Sequence, residues 1–88
     1  MKIKEGYVLR SVANQHLVVP TGEEGVNFNG IITLNDSGKL LFERLKKGAE
    51  PKALVALLME TYDVSKETAN EDVKAFIETL KSKNIIVL

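Results

Sequence analysis

Few residues in this chain are equipped for chemistry, and those few stand apart. His16 is the single histidine and lies in an apolar run, His16-Leu17-Val18-Val19. A catalytic or metal-binding histidine needs a nucleophile, an orienting acid or further ligands beside it. The spacing supplies none, so His16 reads as a structural or surface residue. Gly38-Lys39 invites comparison with a phosphate loop. That loop, however, requires Ser or Thr after the lysine and a glycine five positions before the second glycine. Leu40 and Thr33 occupy those places. The adjacent carboxylates Glu71 and Asp72 read as a solvated helix face rather than an acid/base pair, with Asp72 available for a binding contact. Cysteine is absent, which excludes a disulfide framework, a thiolate metal site and a thiol nucleophile. These residues predict a protein that is not an enzyme and holds no metal or cofactor.

The elements that would position these residues divide the chain into a β half and an α half. At 88 residues, 44% of them hydrophobic, the sequence is sized for one domain spanning residues 1–88 with one modest core. Tyr7-Val8-Leu9-Arg10-Ser11-Val12 and His16-Leu17-Val18-Val19 are strand candidates. Ala13-Asn14-Gln15 joins them as a hairpin turn, with Asn14 suited to a left-handed conformation. Pro20 ends the second strand by removing a ladder donor, and residues 21–25 form a polar loop. The third strand covers residues 30–34, where the branched Cβ atoms of Ile31, Ile32 and Thr33 favour a pleated backbone. Three short consecutive strands imply an antiparallel meander.

Asn35 then caps a helix over residues 36–47, so strand feeds helix with almost no loop. Leu34, Gly38, Leu41, Phe42 and Leu45 share one face of it, and Gly48 stops it. Pro51 opens a second helix carrying Leu54, Val55, Leu57, Leu58 and Tyr62. Ser65 caps a third, on which Ala69, Val73, Phe76, Ile77 and Leu80 recur with helical periodicity. Asn84 closes that helix before an extended tail, residues 85–88. The fold class is therefore α+β.

A sheet beside three helices also evokes a winged helix-turn-helix, whose third helix enters the major groove of DNA. Neutralising phosphates needs cations. From residue 65 to 83, Lys66, Lys74, Lys81 and Lys83 are balanced by Glu67, Glu71, Asp72 and Glu78. Over the whole chain, Lys plus Arg and Asp plus Glu number 12 each. Neither balance attracts nucleic acid or an anionic membrane. No apolar run approaches a membrane span, and the first residues lack the apolar segment of a secretion signal. A cytoplasmic protein is expected.

With this order of elements, the chain resembles the PqqD-like family: peptide chaperones of pyrroloquinoline-quinone biosynthesis and, more broadly, recognition elements for ribosomally made, modified precursor peptides. The resemblance spans nearly all of the sequence. It is carried by Tyr7-Val8-Leu9-Arg10, by Phe28-Asn29-Gly30-Ile31-Ile32-Thr33-Leu34-Asn35 with Gly38, and by Leu45-Lys46-Lys47-Gly48. It continues in Tyr62-Asp63-Val64-Ser65 and in Asp72-Val73 with Phe76 and Leu80. Two positions depart from the family's habit: Phe42 stands where tryptophan is frequent, and Asn84 where glycine is common.

The resemblance implies a three-stranded antiparallel sheet packed on a three-helix winged unit. It also implies that the leader segment of a precursor peptide is bound as an added strand and presented to a modifying enzyme, either a radical S-adenosylmethionine enzyme or a leader protease. Carried onto this chain, the backbone of Ile31, Ile32 and Thr33 forms the docking edge. Asp72, Ala75, Phe76 and Thr79, chosen by helical spacing, line the facing wall. Two other readings stay open: a structural subunit or degenerate domain of a larger enzyme complex, and a DNA-binding winged-helix regulator.

Overall fold

The computed structural model describes residues 1–21 and 32–87. In chain order the elements are strands β1 (Lys2–Ile3), β2 (Tyr7–Val12), β3 (Gln15–Pro20) and β4 (Ile32–Leu34). Helices α1 (Asp36–Lys46), α2 (Pro51–Thr61) and α3 (Lys66–Ser82) follow, and strand β5 (Ile86–Val87) ends the described chain. The sheet has the order β2-β3-β4 and is antiparallel throughout. The expected α+β class with a three-stranded antiparallel sheet and three helices is what the chain forms. The polar loop after Thr21 and the start of the expected third strand, including Gly30 and Ile31, lie outside the described residues.

The β2–β3 hairpin is tighter than the sequence predicts. Val12 pairs with Gln15, leaving a two-residue loop in which Ala13 (φ 47°) and Asn14 (φ 67°) are both left-handed. Such a loop matches the right-handed twist of its strands. Asparagine adopts this conformation readily; alanine does so at a steric cost of roughly 1–2 kcal/mol.

α1 begins where Asn35 turns extended and its side-chain oxygen accepts from the Gly38 amide at 2.8 Å and from the Ser37 hydroxyl at 2.9 Å. Gly38 sits in a tight place: a Cβ would lie 3.1 Å from Leu34 Cβ and 3.2 Å from Asn35 Oδ1, so its neighbours would have to give by a few tenths of an ångström. Strand β4 and helix α1 are thus held in close contact at this junction. Asn35→Ala is expected to lower unfolding free energy by about 1 kcal/mol, measured by urea denaturation. A change near zero would mean that the cap is dispensable.

α3 is capped by the Ser65 hydroxyl oxygen accepting from the Thr68 amide at 3.1 Å. It ends with Asn84 left-handed (φ 58°). There the Ile85 amide donates to the Leu80 carbonyl and the Asn84 amide to the Lys81 carbonyl, each at 3.0 Å. This paired closure suits an asparagine in the usual glycine position. It turns the chain so that β5 pairs antiparallel with β1, Ile3 opposite Ile86. The two-stranded β1–β5 ladder adds to the expected fold, and Ile85 is wholly buried beneath it.

One core unites the layers. Tyr7, Val18, Ile32 and Leu34 come from the sheet, Leu41, Phe42 and Leu45 from α1, and Leu54, Val55 and Leu58 from α2. Ala69, Val73, Ile77 and Leu80 come from α3. Leu57 is only half-buried, and Tyr62, expected on the second helix, instead follows it as an extended, exposed C-cap residue, so the apolar face of α2 is narrower and shorter than its sequence predicts.

Candidate functional site

Strand β4 has two sides with different fates. Through β3 it completes the ladder His16–Leu34, Leu17–Thr33 and Val18–Ile32. Among the described residues no strand pairs with its other side. Its residues alternate, with Ile32 and Leu34 buried and Thr33 exposed. An unpaired edge presents backbone donors and acceptors that an extended segment can complete.

Facing this end of the sheet is a cleft of about 260 Å³ lined by Thr33, Leu34, Asn35, Ser37, Gly38, Leu41, Asp72, Ala75 and Phe76. Four residues chosen from sequence therefore meet in one place: Thr33 from β4, and Asp72, Ala75 and Phe76 from one flank of α3. Phe76 is half-buried and packs against the core while lining the cleft. It serves as floor and core together. Ile32 is 7% exposed, and its side chain belongs to the core. Thr79 is exposed but does not line the cleft; its hydroxyl donates to the Ala75 carbonyl at 3.0 Å. Ile31 lies outside the described residues.

The first turn of α1 is the part of the site that sequence reasoning missed. Asn35 and Gly38 were legible as a cap and a packing glycine. Their tight junction with β4 also carries Ser37 and Leu41 into the cleft wall. Past Asp72 lies a second hollow of about 350 Å³, lined by Asn35, Asp36, Ser37, Leu58, Tyr62, Val64 and Asp72. Asn35, Ser37 and Asp72 border both spaces, so the hollows adjoin. The first is lined about equally by polar and apolar groups, and the second mainly by apolar ones.

His16 sits behind this site. Its Nε2 is 2.8 Å from Asp36 Oδ1 and its Nδ1 is 2.9 Å from Ser11 Oγ. A carboxylate only accepts, so Nε2–H donates to Asp36, and in the neutral ring Nδ1 accepts from Ser11. The order serine, histidine, aspartate matches that of a hydrolytic triad. In such a triad the aspartate is buried and fixes the imidazole, whereas the Asp36 side chain is 87% exposed. The geometry is that of a tie between β3 and the start of α1, in keeping with a structural histidine. Among the described residues no three His, Cys, Asp or Glu side chains converge to hold a metal ion. No described helix is long and apolar enough to cross a membrane.

Among the described residues, a three-stranded antiparallel sheet with an open edge, set against three helices, defines the class of fold. Within that class the match is specific: the model of the family "Coenzyme PQQ synthesis protein D (PqqD)" matches residues 15–86, and the chain belongs to this family. No curated protein matches the sequence. Among solved structures, TbiB1 in complex with the TbiA(beta) leader peptide superposes with a TM-score of 0.76 at 21% identity, covering 97% of this chain and 93% of that one. Lasso peptide synthetase B1 complexed with the leader peptide gives a TM-score of 0.75 at 21% identity, over 99% and 96% of the two chains. The fold is shared nearly end to end.

Proposed function

We propose that this protein is a non-catalytic peptide chaperone. It binds the leader segment of a ribosomally made precursor peptide as a strand added to β4 and presents it to a modifying enzyme, such as a radical S-adenosylmethionine enzyme or a leader protease. The observation that carries this reading is the side of β4 left unpaired among the described residues, beside the cleft walled by Asp72, Ala75 and Phe76. Family membership supports it, as does the occurrence of the same fold in two proteins solved with leader peptides.

The physics assigns distinct tasks to edge and cleft. Backbone hydrogen bonds contribute a net ~1 kcal/mol each, while ordering the peptide costs ~1–2 kcal/mol per residue. The edge therefore sets direction and register. Affinity and specificity come from apolar leader side chains seated in the two adjoining hollows, each worth roughly 1.5–3 kcal/mol when fully buried. Asp72, at the border of both, is placed to accept from a leader amide or cation. This division yields a reversible clamp, suited to handing a substrate on.

Titrating the labelled protein with leader peptide is expected to move amide resonances in residues 32–34 and 72–76. The hairpin tip at Ala13 and Asn14 should stay unchanged. Shifts confined to the β2–β3 hairpin or to α2 would place binding elsewhere and overturn the strand-addition reading.

A further inference from the structure

A larger hollow, about 630 Å³, lies on the other flank of α3, where α2 packs beside it. Its floor is apolar, made by Val55, Val73 and Ile77. Lys52, Lys66, Lys74 and Lys81 rim it, with Glu78 as the one acidic residue in the lining. The four lysines are exposed, and none forms an ion pair among the described residues. A chain with equal numbers of acidic and basic residues thus gathers four cations around one apolar groove.

The spacing describes the occupant. Lys74 and Lys81, seven residues apart, lie within about 20° of each other around α3, while Lys66, eight residues before Lys74, is turned by about 80° onto the side of Val73 and Ile77; the three span about 22 Å of the helix. A partner helix lying alongside, with an apolar stripe flanked by acidic residues, would meet Lys74 and Lys81 along one margin, Lys66 at the N-terminal end of α3 and Lys52 on α2, while burying the floor. Raised cationic rims around a recessed apolar floor fit a helix in a groove better than a flat bilayer. Around α3 this flank is roughly 170° from Asp72, Ala75 and Phe76 at 3.6 residues per turn. Both flanks can be occupied at once.

We propose that the α2–α3 groove docks an acidic amphipathic helix of the enzyme that receives the leader, leaving the β4 cleft free to hold the peptide. The proposal rests on the leader-presenting reading above.

The test uses a synthetic stapled helix of 18 residues with a leucine stripe flanked by glutamates, and a twin flanked by lysines. The glutamate helix is expected to shift amides at Lys52, Val55, Lys74 and Ile77 but not at Thr33 or Ala75. The double substitution Lys74→Glu/Lys81→Glu should weaken it at least tenfold and leave leader affinity within twofold. In excess, the helix should slow modification of a leader-bearing precursor without displacing the leader. Equal binding of the lysine twin, or undiminished binding by the double variant, would overturn the proposal. So would a dimer that the double variant dissociates in sedimentation, or preferential binding to phosphatidylglycerol vesicles. Loss of leader binding with the helix response intact would instead strike at the leader reading alone.

Discussion

Ala75→Trp is expected to weaken leader binding at least tenfold while leaving the fold intact. Ala75 is exposed on α3 and lines the cleft that Thr33, Asp72 and Phe76 also border. An indole there occupies space that a leader side chain needs, and the loss of even one buried anchor removes more than the 1.4 kcal/mol that a factor of ten represents. Substitutions at exposed helix positions change stability by about 0.5 kcal/mol, so the melting temperature should move by no more than about 4 °C. Ala56→Trp, at an exposed position of α2 outside the cleft, is the control and should bind normally. Fluorescence anisotropy with labelled leader reads both. Unchanged affinity in a folded Ala75→Trp protein would show that the peptide does not use this cleft.

Phe42→Ala is expected to destabilise the protein most. Phe42 is fully buried, the largest of the wholly buried side chains in the core that the sheet and the three helices share. Removing a buried phenylalanine side chain costs about 3–5 kcal/mol, from lost burial and the cavity left behind. Small domains have about 5–15 kcal/mol in total, so the melting temperature should fall by more than about 12 °C. Glu43→Ala, one residue on and exposed, should have almost no effect. Calorimetry on the pair decides whether α1 is the keystone of the core.

The helices were largely legible because local signals agreed with one another. Asn35 and Ser65 announce their caps, Pro51 its first turn, and Gly48 and Asn84 their stops. Leu41, Phe42 and Leu45, like Ala69, Val73, Ile77 and Leu80, repeat with the helical period and are all buried. On α2 the same signal overreached: Leu57 obeys the period but is only half-buried, and Tyr62 falls past the last turn, in extended backbone at the C-cap. At the hairpin, propensity favoured a longer turn than strand pairing allows, and Ala13 accepts an unfavourable backbone because the β2–β3 ladder is continuous to Gln15.

The candidate site divides in the same way. Thr33, Asp72, Ala75 and Phe76 could be grouped from sequence because helical spacing puts the last three on one flank and the resemblance sets that flank against the third strand. Ser37 and Leu41 could not, since nothing local says that the first turn of α1 packs beside α3. The sequence by itself determined the order of elements, their caps and the apolar faces that form the core, because these depend on residues within a few positions of one another. Only the tertiary structure decided that residues 2–3 pair with 86–87, that His16 reaches Asp36, and that two flanks of α3 open onto two separate grooves. Those contacts join residues distant in the chain, and their partners are selected by the packing of whole elements, which no short window of sequence contains.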